Sequence, residues 1–486
     1  MSLQEDMGID ALYDISLPDH PYPGLRPFRQ DEWAIFFGRE NIIEQVTGIL
    51  VADRFVTVHG DSGSGKSSLV RAGILPRLVQ ELGRGGATWR TASMEPGNAP
   101  MRNLAMAFSE LCPDAGSDEA LTRFRRMLNL GGDAAPALVS ELRRNDQDHL
   151  CVLVDQFEET FAFAQNNRRS EAELFIEVLT GIQQHKPEGL HVILTMRSEY
   201  LGACARFAGL AEAINDSQYL LPPMNRSALV RAIREPALLY GGRVTADLAE
   251  RLIADAGASQ DQLPLIQHGL MVMQRRLVSH PSEASPDADA AGRPGWTLSL
   301  EDYRKTNGVV DLLSDHADQI YSAIAAEHEG SEEILETVFR ALTDIDADGH
   351  AIRRRQTVQQ LADITSADKA ALDTILAPLR RDGVSFLRPY GEDPLDGDDE
   401  INISHEALIR CWKRIADPSS GWLQEEFKDG LIWKSLLVAA DGLKKDRTAV
   451  LSPAVTEERS RWMRRRSAAW TERYGGRFHD VVHLLE

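Results

Sequence analysis

Apolar segments of strand length alternate with helical patterns along the first half of the chain. The segments cover residues 55–58, 87–94, 150–154, 190–195 and 219–221. Unbroken apolar runs such as 150–154 are typical of strands that are buried on both faces of a parallel sheet. Because helical patterns separate the segments, residues 50–222 predict an α/β sheet covered by helices on both sides.

The pattern becomes helical after residue 226. Residues 244–256 and 265–277 repeat their apolar positions at helical spacing, which predicts two helices of a small bundle. Residues 280–295 are rich in Pro, Ser, Ala and Asp, a composition that indicates a loop or linker.

The third part of the pattern predicts a winged helix. Helices are expected at 334–342, 358–364, 367–381 and 406–415, and strands at 384–388 and 401–404. A turn containing Arg353, Arg354 and Arg355 follows the first of these helices, and an acidic loop separates the two strands. Residues 422–486 predict further helices, rich in Trp, Arg and Glu.

A glycine-rich loop lies between the first apolar segment and the helical pattern that follows it. It matches G-x-x-x-x-G-K-[ST] and consists of Gly60, Asp61, Ser62, Gly63, Ser64, Gly65, Lys66 and Ser67, followed by Ser68. Glycine lets the backbone wrap a phosphate, and the start of the next helix adds partial positive charge. Lys66 is expected to reach the β- and γ-phosphates, and Ser67 to hold Mg²⁺. Since a strand precedes the loop and a helix follows it, we expect a nucleoside triphosphate with Mg²⁺ rather than a glycine turn without a ligand.

Carboxylates follow the apolar run 150–154. Asp155, at the end of that run, is expected to contact Mg²⁺ directly or through water. The next residue is Gln156, where many related ATPases have the Glu that activates water. Glu158 or Glu159 is a candidate general base, or Gln156 orients the water, and the alternative is that all three only cap or solvate the next helix.

Arg197 ends the following apolar segment. At the edge of a doubly wound sheet, an arginine in this position can pair with a γ-phosphate and report its presence. A surface ion pair is the alternative.

Composition narrows the class of protein. The 486 residues are 43% hydrophobic and 26% charged, as in soluble proteins of several domains. A formal net charge of −21 opposes general binding to nucleic acid. The four cysteines are far apart in the sequence and indicate neither a zinc site nor a disulfide framework, which fits a cytoplasmic location. No apolar run has the length of a membrane span, and the N-terminus does not resemble a signal peptide.

Several motifs in order resemble the STAND class of signal-transduction ATPases, and most closely its bacterial "novel STAND" group. They are residues 21–28 and 36–40, the glycine-rich loop, residues 154–159, Arg197, residues 262–265 and residues 404–409. The resemblance implies an AAA+/STAND-like α/β P-loop NTPase followed by a helical lid, a winged-helix domain and a helical C-terminal region.

The resemblance also implies roles for individual residues. Phe37, Gly38 and Arg39 would lie beside the adenine, and Pro264 would cap the base from the lid. His405 matches a histidine that contacts the ADP β-phosphate in relatives, although without the family it would be interpreted as a capping or core residue. Gln262 departs from the glycine that often opens the lid motif.

The implied function is a switch. The closed ADP-bound monomer exchanges to ATP on a signal and forms a homo-oligomer that triggers a separate effector or sensor protein, in bacterial defence or programmed cell death. One alternative is a DNA-associated AAA+ ATPase that grips duplex with its winged helix through Arg353–Arg355, Arg380, Arg381, Arg461 and Arg464–Arg466. Another is a nucleotide-binding scaffold with little activity.

The predicted domains follow from these patterns and the resemblance together. They are a flexible N-terminus (1–20), a P-loop NTPase core with an adenine-contacting segment (21–225), a helical lid with a linker near 280–295 (226–320), a winged helix (321–416) and C-terminal helices (417–486).

Overall fold

A computed structural model describes residues 16–80, 82–112, 117–165, 168–257, 260–279, 295–346, 349–446, 448, 450–464 and 466–486. The chain divides into two compact units. Of the described residues, those within 16–21, 27–263 and 295–297 form unit 1, and those within 22–26, 264–279 and 298–486 form unit 2. Nearly all of the predicted flexible N-terminus and of the predicted linker, residues 1–15 and 280–294, lies outside the described residues.

Unit 1 is built on a five-stranded parallel sheet with the order β2-β3-β4-β1-β5. The strands are β1 Phe55–Gly60, β2 Thr88–Met94, β3 Asp148–Val154, β4 Leu190–Arg197 and β5 Gln218–Leu220. Its helices before residue 226 are α1 Glu40–Asp53, α2 Lys66–Ser68, α3 Leu75–Gln80, α4 Pro100–Glu110, α5 Asp118–Leu128, α6 Ala134–Leu142, α7 Glu159–Gln165, α8 Arg169–His185, α9 Leu201–Cys204 and α10 Leu210–Asp216. A π-helical turn, Leu69–Ile74, joins α2 to α3.

Both faces of this sheet are buried. Leu150, Val152 and Val154 of β3 pack into one hydrophobic cluster, while Cys151 and Leu153 pack into another. Successive side chains of a strand point to opposite faces, so an unbroken apolar run places hydrophobic groups on both sides. The prediction of a parallel sheet covered on two sides is confirmed.

The region after residue 226 contains α11 Arg226–Leu239, α12 Ala246–Ala256 and α13 Gln262–Ser279. The expectation that every strong element here is helical was incomplete, because β6 Gly242–Val244 pairs with β7 Trp296–Leu298. A Cβ at Gly242 would collide with the indole of Trp296. This pairing joins segments that are distant in sequence, which local periodicity does not reveal.

Unit 2 continues with α14 Leu300–Arg304 and α15 Val309–Glu327 and contains the winged helix. Its elements are α16 Ser331–Ala341, β8 Thr343–Ile345, β9 Ala351–Arg353, β10 Gln356–Thr357, α17 Val358–Thr365, α18 Lys369–Arg380, β11 Leu387–Arg388, β12 Glu400–Ile403, α19 Glu406–Cys411 and α20 Lys413–Ala416. The strands β10, β12 and β11 form an antiparallel sheet. Helices followed by a hairpin of β11 and β12 confirm the predicted winged helix.

Three details of that prediction were wrong. The predicted strand 384–388 is shorter than expected, because β11 begins only at Leu387, after a turn that ends at Val384 and a Ser385 with φ +50°. Arg353, the first of the three arginines in the predicted turn, is instead the last residue of β9, while Arg354 and Arg355 lie outside any strand or helix. The predicted helix 406–415 breaks at Trp412, whose backbone is extended and whose indole donates a hydrogen bond to Asp318.

The C-terminal helices are α21 Trp422–Lys445, α22 Pro453–Met463, α23 Ala468–Glu472 and α24 Phe478–Leu485. Trp433, Trp470 and Val481 are at the centre of their shared apolar cluster. Within the described parts of the chain, no helix is both long enough and apolar enough to cross a bilayer.

Candidate functional site

The glycine-rich loop runs from the end of β1, the strand that lies between β4 and β5, to the start of α2. Gly63 and Gly65 have φ values of +73° and +90°, which other residues adopt only with strain. A Cβ at Gly60 would lie 3.2 Å from Ser64 Oγ and 3.3 Å from the carbonyl oxygen of Leu221. The three glycines therefore allow a tight loop, and its shape fits the wrapping of a phosphate by backbone N–H groups.

Lys66 folds back over this loop. Its Nζ donates hydrogen bonds to the carbonyl oxygens of Gly60, at 2.9 Å, and Asp61, at 2.7 Å. Burial lowers the pKa of Lys66, and the charge of Glu158 opposes that effect. The loop thus holds a positive charge where a phosphate would need one.

Ser67 and Asp155 are in direct contact. Ser67 Oγ donates to Asp155 Oδ1 at 2.8 Å, and Thr195 Oγ1 donates to the same oxygen at 2.5 Å. The other oxygen, Oδ2, accepts from Arg71 Nε at 3.1 Å and lies 3.0 Å from Arg71 Nη2. Asp155 is only 1% exposed, so these partners satisfy a buried charge.

This pair fits a magnesium ion that is shared with a nucleotide. A hydroxyl and a carboxylate are the hard oxygen ligands that Mg²⁺ accepts, usually together with water and phosphate oxygens. Among the described residues, no group of three or more His, Cys, Asp or Glu side chains could hold a metal by itself. The chain's own groups would therefore supply only part of the coordination.

The candidates for activating water lie in different surroundings. The side chain of Glu158 is 11% exposed, and this shielding from water raises its pKa; its Oε1 lies 3.5 Å from Arg197 Nε. Glu159 opens α7, and its Oε2 accepts a hydrogen bond from the N–H of Gly97 at 3.1 Å. Gln156 donates from Nε2 to Glu95 Oε1 at 3.2 Å. The role of each in hydrolysis remains a prediction.

Arg197 lies beside the loop at the carboxyl edge of the sheet. In the parallel register of β1 and β4 it is opposite Gly60, the first residue of the loop. Its guanidinium lies near Glu158 and also 3.3 Å from Oε1 of Glu199. An arginine held between two carboxylates can exchange one of them for a phosphate.

Arg39 is a buried arginine whose guanidinium contacts the glycine-rich loop. It is 4% exposed, and burial lowers its pKa to about 10. Nη1 donates to the carbonyl oxygen of Pro222 at 2.8 Å, and Nη2 to that of Ser64 at 3.2 Å. The guanidinium therefore joins the glycine-rich loop to the segment after β5.

Phe37 and Gly38 precede Arg39 in the same segment. Phe37 is half-buried, and Gly38 has φ +90°. A Cβ at Gly38 would approach the carbonyl oxygen of Ala228 to 2.6 Å. Upstream of them, the N–H of Phe28 donates to Ser68 Oγ at 3.2 Å, which ties this segment to the start of the loop helix. Contact of Phe37, Gly38 and Arg39 with adenine remains a prediction.

Pro264 and His405 belong to unit 2. Pro264 is buried near the start of α13, and the preceding Leu263, in unit 1, lies beside Gly65, with 3.6 Å between its Cδ1 and a Cβ placed on that glycine. His405 caps α19, where its Nδ1 accepts a hydrogen bond from the N–H of Ala407 at 3.1 Å. Their contacts with a nucleotide remain predictions.

Sequence reasoning missed Arg71, Glu95 and Thr195, which surround Asp155 and Gln156. Glu95 follows an apolar strand directly, the same signal that identified Asp155 and Arg197. Arg71 lies four residues after Ser67, and only the folded structure shows that its side chain reaches Asp155.

Acidic groups accompany the arginines of the predicted winged helix and tail. The pairs are Arg353 with Glu406 at 2.8 Å, Arg355 with Glu400 at 3.0 Å, Arg381 with Glu392 at 3.2 Å and Arg461 with Glu457 at 2.9 Å. Arg380 is 2% exposed and donates to the carbonyl oxygens of Pro389 and Asp393. Arg465 lies outside the described residues.

A parallel sheet, a glycine-rich loop that leads into a helix, and an acidic residue at the end of β3 together define a P-loop NTPase. More narrowly, the chain belongs to the Novel STAND NTPase 1 family, whose model matches residues 21–448. This membership confirms the resemblance, the fold class and the prediction of a P-loop ATPase.

Other comparisons give weaker similarities. No curated protein sequence matches the chain. The Aeropyrum pernix ORC1 protein, solved in complex with DNA, is 14% identical with a TM-score of 0.40 over 80% of this chain and 95% of that chain. The Aeropyrum pernix ORC2 protein in ADPNP-ADP complexes is 14% identical with a TM-score of 0.40, over 83% and 97%. A Walker-type ATPase of Pyrococcus abyssi is 13% identical with a TM-score of 0.38, over 79% and 97%.

Proposed function

We propose that this chain is a cytoplasmic signalling switch controlled by ATP and ADP. The ADP-bound form is a resting monomer, and the ATP-bound form assembles into a homo-oligomer. The oligomer acts on a separate effector or sensor protein in bacterial defence or programmed cell death. Membership of the Novel STAND NTPase 1 family supports the proposal, and the ion pair of Arg197 with Glu158 is the observation that carries it.

The ion pair provides a way to distinguish the two nucleotides. Arg197 lies next to the loop, and its partner Glu158 is a carboxylate that is largely shielded from water, which raises its pKa. With ATP, Arg197 can leave Glu158 for the γ-phosphate, whereas ADP offers no such partner. A ligand shifts a conformational equilibrium only through contacts that differ between the states, and this exchange is one.

Ser67 and Asp155 would hold Mg²⁺. Lys66 would neutralise negative charge on the phosphates that the ion accompanies. A bound Mg²⁺ supplies charge stabilisation at the phosphate oxygens. Thr195 and Arg71 keep the Asp155 carboxylate oriented toward Ser67 when no cation is bound.

His405 is suited to donate a hydrogen bond to a phosphate. Its Nδ1 accepts from the N–H of Ala407, so in the neutral ring the proton lies on Nε2. The proposed contact of Nε2–H with the β-phosphate of ADP would stabilise the resting state.

Nucleotide affinities of Arg197 variants test the proposal. We expect Arg197→Ala to weaken a non-hydrolysable ATP analogue at least tenfold while ADP changes less than twofold, because charge-assisted hydrogen bonds are worth about 1.5–3 kcal/mol. Lys66→Ala serves as the reference for general loss and should weaken both nucleotides. Equal effects of Arg197→Ala on the two nucleotides, or no effect, would contradict the switch mechanism.

The DNA-associated alternative is less well supported. The described arginines that it requires are largely engaged with carboxylates or carbonyl oxygens, and the net charge of −21 opposes a phosphate backbone. Duplex binding that falls steeply with salt would reverse this preference.

A further inference from the structure

Glu95 and Gln156 lie side by side at the carboxyl edge of the sheet. β2 and β3 pair in parallel with Met94 opposite Val154, and the N–H of Asp155 donates to the carbonyl oxygen of Met94 at 2.8 Å. The residues that follow both strands are thus neighbours. Gln156 Nε2 donates to Glu95 Oε1 at 3.2 Å across this edge.

The backbone of Gln156 is fixed in an unusual conformation. Its φ of +57° lies in the left-handed region, which non-glycine residues enter at a cost. Its N–H donates to Thr195 Oγ1 at 3.0 Å, and the same hydroxyl donates to Asp155 Oδ1. The hydroxyl of Thr195 therefore holds the backbone of Gln156 and also binds Asp155, the predicted magnesium ligand.

Arg71 contacts both Asp155 and Glu95. Its Nη2 lies 3.0 Å from Asp155 Oδ2 and 3.6 Å from Glu95 Oε1. One guanidinium thus lies between two carboxylates and reduces their repulsion. The side chain of Glu95 is 16% exposed, so the negative charge of its carboxylate is largely shielded from water and needs this partner.

We propose that Glu95 is a positioning residue for ATP hydrolysis, acting through Gln156. Glu95 binds the NH₂ group of the Gln156 amide, so the carbonyl oxygen on the other arm faces away from Glu95 and orients the attacking water. Of the three candidates for acting on the water, Gln156 is the one that the structure binds to Glu95. Glu159 accepts a hydrogen bond from Gly97, and Glu158 pairs with Arg197 until that arginine moves to a γ-phosphate. The proposal concerns hydrolysis alone and does not depend on the proposed assembly.

Hydrolysis by this route needs no reactant other than ATP and water. The water oxygen forms a bond to the γ-phosphorus while the bond from that phosphorus to the bridging oxygen of ADP breaks. The water proton leaves to the released phosphate or to solvent. Gln156 only accepts a hydrogen bond and does not change its protonation state.

Single-turnover hydrolysis of pre-bound Mg·ATP tests the proposal, with ATP affinity measured for each variant. We expect Glu95→Ala to slow hydrolysis at least tenfold while the affinity changes less than twofold. Glu95→Gln retains an oxygen that accepts from Gln156 Nε2, so its rate should stay within about threefold of wild type. Its pH–rate profile should also be unchanged, whereas loss of an acidic limb would identify Glu95 as a general base and overturn the positioning role.

An exchange of the two residues provides the decisive comparison. Gln156→Glu alone places two carboxylates against each other and should slow hydrolysis. Combined with Glu95→Gln, it restores the hydrogen bond with donor and acceptor exchanged, and the rate should recover at least tenfold over the single variant. The pH–rate profile should stay that of the wild type, whereas a new acidic limb would show that Glu at position 156 acts as a general base and would contradict the positioning role. Glu188→Gln, at an exposed ion pair with Arg143, is the matched control.

Two further results would overturn the proposal. One is an unchanged rate in Glu95→Ala, and the other is a double variant no faster than Gln156→Glu alone. If Glu95→Ala does not fold, the comparison of Gln156→Glu with the double variant still tests the proposal. Glu and Gln are polar side chains of the same size, so both of these variants preserve the packing.

Discussion

Ser67 Oγ donates a hydrogen bond of 2.8 Å to Asp155 Oδ1, which joins the start of the loop helix to the end of β3. In the proposed nucleotide-bound state, the same two groups would share Mg²⁺. The affinity of the chain for nucleotide should therefore depend on this pair only when Mg²⁺ is present.

We expect Ser67→Ala to remove most of the effect of Mg²⁺ on ADP affinity. Wild-type protein should bind ADP at least tenfold more tightly with Mg²⁺ than with EDTA, and the variant should show less than a threefold difference, because it lacks the hydroxyl ligand. Equilibrium titration in the two buffers measures both ratios. Ser435→Ala, on an exposed face of α21, is the control, and an unchanged ratio in Ser67→Ala would refute the metal assignment.

Two glycines allow a matched test of the segment before α1. Gly38→Ala should lower the stability of unit 1 by about 2 kcal/mol, because φ is +90° and a Cβ would lie 2.6 Å from the carbonyl oxygen of Ala228. Gly48→Ala, on the exposed side of α1 with nothing within 4 Å of the added Cβ, should raise it by about 0.5–1 kcal/mol. Chemical denaturation measures the free energy of unfolding of both variants. Equal changes in the two would contradict the close packing at Gly38.

Acid should destabilise unit 1 through His191. Burial, together with the charges of the nearby His149 and Arg54, lowers the pKa of this histidine to about 4, although a hydrogen bond to the carbonyl oxygen of Leu150 acts in the opposite direction. The folded pKa is below the unfolded value, so the unfolded chain binds more protons between about pH 4 and 6.5. The stabilisation is complete above about pH 6.5 and is lost as the pH falls toward 4.

His191→Asn removes this titration and retains a donor for Leu150. Between pH 7.5 and 5.5 the wild type should lose about 1 kcal/mol more stability than the variant. Denaturation midpoints at the two pH values provide the comparison, and parallel losses would show that His191 is not the group responsible.

The parts of the fold that could be predicted from the sequence are those that depend on residues close together in the chain. Apolar runs of strand length and the spacing of Gly60, Gly65 and Lys66 identify the sheet and its loop, since each pattern depends only on neighbouring residues. The winged helix followed from the order of its elements in the same way.

The parts that were missed depend on contacts between distant residues. β6 forms only by pairing with a strand about 50 residues later, and Trp412 interrupts a helical pattern where its indole binds Asp318. Arg71 is an ordinary surface residue type in the sequence, and it gains a role only because its side chain reaches the buried Asp155. Glu95 follows an apolar strand as Asp155 does, but only the fold shows that it contacts Arg71 and Gln156.

The most direct test of the proposed switch is the mass of the assembly in each nucleotide state. Wild-type protein should be monomeric by mass photometry with saturating Mg·ADP and should form a discrete oligomer with a non-hydrolysable ATP analogue and Mg²⁺. Titration must show that both nucleotides are bound under these conditions. A monomer in both states, with both nucleotides bound, would contradict the proposal.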